Sequence, residues 1–130
     1  MAEKQVQLDL NKGNVTVSIG PGALHAVQYT LFLFDPTGTN ILQTQGGFIT
    51  DRRFDDIPLI LPPNQLNGCA LKWIIDVTTV RNTGESEPYQ VFVETSQNGQ
   101  IVQGGDIFTP PNQGTFTTTL SYSDFARLLA

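Results

Sequence analysis

Residues 69–81 read Cys-Ala-Leu-Lys-Trp-Ile-Ile-Asp-Val-Thr-Thr-Val-Arg, which is the longest apolar run of β-branched and aromatic residues in the chain. Successive side chains of a β-strand point to opposite faces, so alternate positions share a face. One set of alternate positions is entirely apolar and comprises Leu71, Trp73, Ile75 and Val77. The other set combines Lys72 and Asp76 with Ile74. The pattern predicts a central strand with one side in a core and one side of mixed character.

Length and cysteine content limit the architecture and the compartment. With 130 residues the chain is expected to form a single domain, residues 1–130, that can bury its own core. Cys69 is the single cysteine, so no intramolecular disulfide can form, and the N-terminus lacks the basic and apolar regions of a secretory signal. We therefore expect a cytoplasmic location. Two alternatives stay open: a mature protein whose signal was removed, and non-classical export without an N-terminal signal.

Charge and hydropathy exclude two classes of partner. The net charge is −5 and the seven Lys and Arg residues are scattered, whereas a nucleic-acid binder clusters such residues to neutralise phosphates. No window contains the roughly 20 consecutive apolar residues of a membrane span. We expect no nucleic-acid and no membrane partner. Charged residues make up only 15% of the chain, a composition that occurs in shell, fibre and sugar-binding proteins.

Alternation and turn signals predict hairpins along the chain. A Gly-containing turn is expected to join residues 6–10 to residues 15–19. Residues 35–38, Asp-Pro-Thr-Gly, match a type I turn, and Asn98-Gly99 matches a type I′ turn because both residues accept a positive φ. Ser123 is a plausible N-cap, which predicts a short helix over residues 124–129.

These elements favour an all-β fold. Eight or nine short strands at regular spacing, with one short C-terminal helix, predict an antiparallel two-sheet β-sandwich of Greek-key or jelly-roll type. Residues 29–50 and 89–109 also read alike, since each begins with Tyr, alternates aliphatic residues with Phe, turns, and reaches a double glycine. Either a duplicated half or the convergence of hairpins on similar residues explains this likeness.

The two tyrosine-led hairpins carry a second set of apolar residues. A sandwich sheet needs only one apolar face, so a second apolar face requires a covering element or a partner. We predict self-association, giving a homo-oligomer, through Phe32, Phe34, Ile41, Ile74, Phe92, Ile101, Phe125 and Leu128. The alternatives are that the face assignment is reversed, that the C-terminal helix covers these residues, or that they line a ligand groove.

Acidic residues suggest a calcium site and a sugar-binding alternative. Asp51, Asp55 and Asp56 could gather as hard oxygen ligands for calcium, although Arg52 and Arg53 could equally pair with these carboxylates in a solvated loop. No other cofactor is indicated. A carbohydrate-binding module or lectin would use polar contacts from residues 51–56 and 97–100, with or without calcium. Trp73 could stack on a sugar, but its apolar neighbours favour a place in the core.

Few residues are suited to catalysis. His25 is the only histidine, and a dyad with Cys69 is weighed against a core position for that cysteine. Glu85 with Glu87, or Asp55 with Asp56, could act as an acid and base pair in a sugar cleft, but adjacent acids are common in exposed turns. The sequence therefore predicts a non-catalytic structural or interaction protein that self-associates through an apolar sheet face, with a lectin-like protein as the alternative.

Overall fold

The computed structural model describes residues 3–23, 25–79 and 84–130. Regular structure in these ranges consists of β-strands and one 3₁₀ turn at Pro63–Gln65. The strands are β1 Gln5–Gln7, β2 Val15–Pro21, β3 His25–Phe34, β4 Ile41–Ile49, β5 Asp55–Pro58, β6 Ala70–Thr79, β7 Glu87–Gln97, β8 Gln100–Ile107, β9 Gln113–Phe116 and β10 Thr119–Leu129. The prediction of an all-β fold is confirmed. The described residues contain no helix with the length and hydrophobicity needed to cross a membrane.

The strands form one sheet in the order β4-β3-β6-β10-β1-β8-β7-β2-β5, with β9 beside β7. The two end strands, β4 and β5, lie close together and are joined by the Gln43 side chain. Its amide nitrogen donates to the Pro58 carbonyl at 2.9 Å, and its amide oxygen accepts from the Ile60 N–H at 2.9 Å. The sheet is therefore nearly closed and barrel-like, and the prediction of two separate sheets is wrong. Pairing is antiparallel throughout except between β1 and β10, which are parallel.

The core lies where the alternation in β6 predicts it. Leu71, Trp73, Ile75 and Val77 are all buried, and so are the odd-numbered positions of β3 and those of β7 from Tyr89 onward. Cys69 is also buried beside this core, which confirms its interpretation as a core residue. A buried Trp leaves its N–H in need of an acceptor, and Trp73 donates to the Asn112 side-chain oxygen at 2.9 Å. The assignment of core and outward faces in the central strands is confirmed.

The predicted C-terminal helix is wrong, because the segment forms the long strand β10. Residues from Thr119 to Arg127 pair with β6, and the end of β10 pairs with β1. A two-turn helix is marginal by itself, whereas a strand between two neighbours satisfies its backbone on both edges. Leu128 is completely buried in β10 and lies in the core, not at the surface where an interface residue belongs.

The hairpin predictions have mixed outcomes. Asn98 and Gly99 have φ values of 52° and 76°, which confirms the type I′ turn between β7 and β8. The turn between β3 and β4 is closed by the Asp35 carboxylate, and hydrogen bonds from the Thr37 hydroxyl and the Asn40 amide lower the pKa of Asp35 to about 2. The first predicted hairpin is wrong, since β1 pairs with β10 and β8 while β2 pairs with β7 and β5. Alternation identifies strands but not their neighbours.

Candidate interaction surface

The outward side chains of β4, β3, β6 and β10 form a surface that we call the β6 face. Residues opposite each other on antiparallel strands point to the same side of the sheet, so the register arranges this face in rows. The rows, each read from β4 to β10, are Ile41-Phe34-Ala70-Arg127, Thr44-Phe32-Lys72-Phe125, Gly46-Thr30-Ile74-Ser123 and Phe48-Gln28-Asp76-Ser121. Ile74 therefore lies near the centre of the face, with Thr30 and Ser123 beside it in its row and with Phe32 and Phe125 diagonal to it.

Large apolar side chains on the β6 face are exposed to solvent. The exposed fraction is 54% for Ile41, 59% for Phe48, 40% for Ile74 and 45% for Phe125. The neighbouring rings of Phe32 and Phe34 are half-buried, with centroids 5.9 Å apart. Single exposed apolar residues are ordinary, but a contiguous group on one sheet face is typical of an interaction site.

The structure separates the eight predicted interface residues into three groups. The β6 face holds Phe32, Phe34, Ile41, Ile74 and Phe125. Phe92 lies on β7 and Ile101 on β8, which are outside the β6 face, and Leu128 lies in the core. Five predicted residues are thus brought together, and two form part of a different surface.

Phe48 belongs to the β6 face but was not predicted. The Gly46-Gly47 pair suggests a bend, yet β4 continues through both glycines to Ile49. A Cβ atom at Gly47 would lie 2.5 Å from the Tyr29 ring, so the glycine makes room for a core side chain instead of turning the chain. The pairing of Phe32 with Thr44, four positions before Phe48, places Phe48 on this face, and the sequence does not reveal that pairing.

Besides Arg127, which pairs with Glu3 at the edge of the β6 face, two opposite charges lie on this face. Lys72 and Asp76 are exposed on β6, two positions before and two positions after Ile74. Positions four apart in a strand are about 14 Å apart, which is too far for an ion pair within one strand. Asp76 accepts a hydrogen bond from the Ser121 hydroxyl, and Lys72 forms no ion pair with any residue in the described ranges.

The outward side chains of β5, β2, β7 and β8 form a second surface, the β7 face. Here Phe92 is covered by the chain itself, because Phe54 stacks on it with centroids 5.9 Å apart and Phe108 meets it edge-on at 6.1 Å. Glycines beneath the rings make room for this cluster. A Cβ atom at Gly20 would overlap the Phe54 ring, and one at Gly22 would lie 2.8 Å from the Phe92 ring.

An acidic row lies beside this aromatic cluster. The register aligns Asp56, Ser18, Glu94 and Asp106 across β5, β2, β7 and β8. Burial, and then the negative charge of Asp106, raises the pKa of the Glu94 carboxyl. Like charges directly opposite each other on a sheet are destabilising, so this pair opposes folding when both groups are ionised.

The three aspartates predicted to hold calcium have separate partners. The Asp51 carboxylate lies 3.4 Å from the Arg53 guanidinium, Asp55 accepts from the Tyr29 hydroxyl at 2.8 Å, and Asp56 accepts from the Ser18 hydroxyl at 2.6 Å. Burial, and then the hydrogen bond to Asp55, raises the pKa of Tyr29. Across the described residues, no group of three or more Asp, Glu, His or Cys side chains is placed to hold a metal ion.

The Cys-His dyad that was weighed against a core position for Cys69 is not assembled. His25 pairs with Thr79 at one end of β6, whereas Cys69 precedes Ala70 at the other end, which separates them by roughly 30 Å. His25 Nε2 lies 2.9 Å from the Pro88 carbonyl oxygen, and its ring packs edge-on against Phe116. Burial raises the pKa of the Cys69 thiol, which disfavours the reactive thiolate.

A polar chain that the sequence did not reveal anchors β10. Trp73 donates to Asn112, the Asn112 amide donates to the Asp124 carboxylate at 2.8 Å, and Lys4 forms an ion pair with Asp124 at 2.7 Å. Asp124 lies in the segment that the sequence predicts as a helix. The cleft beside this chain also contains Glu3, which is paired with Arg127, so both carboxylates in it are engaged.

Gln97 and its neighbours were predicted to supply polar contacts to a sugar. Gln97 is instead buried, and its amide bonds the Asp9 N–H, the Asp9 carbonyl and the Gly13 carbonyl at 2.8–2.9 Å. It joins the end of β7 to the segment that follows β1. Its polar atoms are therefore used within the fold.

No protein-family model, curated protein or solved structure matches the chain. The candidate function therefore rests on the geometry of the two outer faces.

Proposed function

We propose that this chain is a non-catalytic structural or interaction protein that binds a second copy of itself through the β6 face. The observation that carries the proposal is the exposure of large apolar side chains on β4, β6 and β10. The phenylalanine rings that β3 adds to the same face are half-buried. The alternative that a C-terminal helix covers this face does not apply, because the segment is the strand β10, which carries Phe125 on the face. The face is thus wider than the two hairpins alone would make it.

The size of the β6 face suits a homodimer. Four strands about 4.8 Å apart and about eight residues long span roughly 19 by 27 Å, or about 500 Å² in projection. The accessible area of a surface with protruding side chains exceeds its projection, and a standard interface buries about 800 Å² per partner. Burial of this apolar area would also oppose the mutual repulsion of copies that each carry a net charge of −5.

The test compares two isoleucines of similar exposure on the two faces. Ile74 is 40% exposed at the centre of the β6 face, and Ile101 is 47% exposed on β8. We expect the wild-type protein to sediment as a dimer at micromolar concentration and Ile74→Asp as a folded monomer, because the variant places a charge in the apolar contact. Ile101→Asp changes the same groups and should leave the dimer intact.

Sedimentation velocity with far-UV circular dichroism checks both variants. A wild-type protein that is monomeric at millimolar concentration contradicts the proposal. So does an Ile74→Asp variant that is folded and as dimeric as the wild type.

The β7 face supports a second candidate, a carbohydrate-binding protein. Aromatic rings beside carboxylates are the groups that sugar sites use for stacking and for hydrogen bonds, and Phe54 and Phe92 lie next to the row of Asp56, Glu94 and Asp106. Calcium would assist such binding only if the sugar's hydroxyl groups completed its ligand set, because no three acids of the described residues are grouped to hold the ion by themselves. A glycan array with and without chelator tests this candidate, and no binding in either condition eliminates it.

The proposed location is the cytoplasm. Cys69 is free and buried, which is compatible with a reducing compartment and requires no disulfide partner. Fractionation of cells that produce the protein would check this proposal.

A further inference from the structure

This inference rests on the proposed self-association and specifies its geometry. We infer that two copies pack face to face about a twofold axis that crosses β6 above Ile74, so that Lys72 of each copy faces Asp76 of the other. Such a contact contains two equivalent ion pairs around a central contact between the two Ile74 side chains.

The argument begins with the symmetry. A twofold axis in the plane between two sheets, perpendicular to their strands, places each strand over its own copy and reverses its direction. A residue two positions before the axis then faces the residue two positions after it. On β6 these residues are Lys72 and Asp76, which lie on either side of Ile74 and have opposite charges. Facing sheets are about 10 Å apart, a gap that a lysine and an aspartate side chain can span together.

Side-chain size supports the same axis. The row of Lys72 reads Thr44-Phe32-Lys72-Phe125, and the row of Asp76 reads Phe48-Gln28-Asp76-Ser121. The rotation brings these rows together, so that Phe125 faces the second copy's Ser121 and Phe48 faces the second copy's Thr44. Lys72 likewise faces the shorter Asp76. Interfaces pack densely when long side chains of one layer meet short side chains of the other.

The other twofold axis in the plane is disfavoured by charge. An axis parallel to β6 would place Lys72 opposite the second copy's Lys72 and Asp76 opposite the second copy's Asp76. Like charges facing each other across an interface oppose association, because neither gains a partner for the water it loses. The free ammonium of Lys72, which has no ion-pair partner within the described ranges, is therefore best placed against the second copy's Asp76.

The test is a charge exchange measured by sedimentation equilibrium. Lys72→Glu alone creates two facing Glu-Asp pairs, and Asp76→Lys alone creates two facing lysine pairs, so each variant should raise the dimer dissociation constant by at least about tenfold. An equimolar mixture of the two variants restores both opposite-charge pairs and should form a heterodimer with nearly the wild-type dissociation constant. Lys12→Glu is the matched control, because Lys12 is exposed in the turn after β1 and away from the β6 face.

The outcomes separate this inference from the proposal on which it rests. A wild-type monomer overturns both. A wild-type dimer that is unchanged by Lys72→Glu and Asp76→Lys, or a mixture that fails to restore affinity, overturns the inferred axis and leaves self-association standing. Lys72→Gln extends the test with a smaller change: it should weaken the dimer, whereas it would strengthen a dimer in which the two Lys72 residues face each other. Circular dichroism confirms that every variant is folded.

Discussion

The β6 face and the β7 face both carry outward phenylalanines, but the surroundings of these rings differ between the two faces. On the β7 face, Gly20 and Gly22 leave space into which Phe54 folds over Phe92. On the β6 face, the position beside Phe32 on β4 is Thr44, and the nearby Ile74 and Phe125 remain exposed. An outward phenylalanine therefore does not indicate an interface by itself. The neighbouring strand decides whether the chain can cover it.

The largest expected effect on stability comes from comparing two residues of β10 that were both predicted to lie in the interface. Leu128→Ala should lower the free energy of unfolding by about 3 kcal/mol, because the side chain is completely buried and its removal leaves a cavity. Phe125→Ala should change it by only about 0.5 kcal/mol but weaken the dimer, because that side chain lies on the β6 face. Urea unfolding of monomeric protein at low concentration measures the first effect and sedimentation the second. Equal losses of stability would show that the two positions do not differ in this way.

A second experiment compares one glycine from each face. Gly20→Ala should destabilise the protein by about 2 kcal/mol, because the new Cβ atom overlaps the Phe54 ring and forces the aromatic cluster apart. Gly46→Ala on the β6 face meets no atom closer than the Tyr29 carbonyl oxygen at 3.5 Å and should stay within about 0.5 kcal/mol of the wild type. Thermal and urea unfolding check both variants. A tolerated Gly20→Ala would mean that Phe54 does not need this space.

The smallest expected effect concerns the acidic row of the β7 face. A raised carboxyl pKa means that the folded state holds the proton more tightly than the unfolded state, so stability falls as the pH rises through the ordinary pKa of 4.5 to the raised value. Glu94→Gln should therefore stabilise the protein by about 0.5 kcal/mol at neutral pH, with the gain disappearing in acid. Urea unfolding across this pH range measures the difference.

Asp106→Asn provides the control for that prediction. It removes the other charge of the pair, so its gain should have the same sign, and the double variant should gain less than the sum of the two single changes. Additive gains would show that the two carboxylates do not interact.

Much of the local structure could be predicted from the sequence. The alternation of residues 69–81 identified the buried side of β6, and Asn98-Gly99 identified its turn, because both signals depend on neighbouring residues only. The helix prediction for residues 124–129 failed for the same reason. Local capping signals favoured a helix, but pairing with β6 and β1 satisfies more of the backbone than two isolated turns can.

The sequence identified five residues of the β6 face but did not show which of the eight predicted residues share a surface. Phe32 and Phe92 occupy equivalent places in two similar hairpins, and nothing in either hairpin distinguishes them. Alternation along a strand is a local property of the backbone, so it assigned both rings to the outside. Strand order depends on contacts between distant segments, and these contacts placed Phe125 on the face of Phe32 but Phe54 over Phe92. Both rings are half-buried, but Phe32 borders exposed apolar side chains of the β6 face, whereas Phe92 is stacked against Phe54.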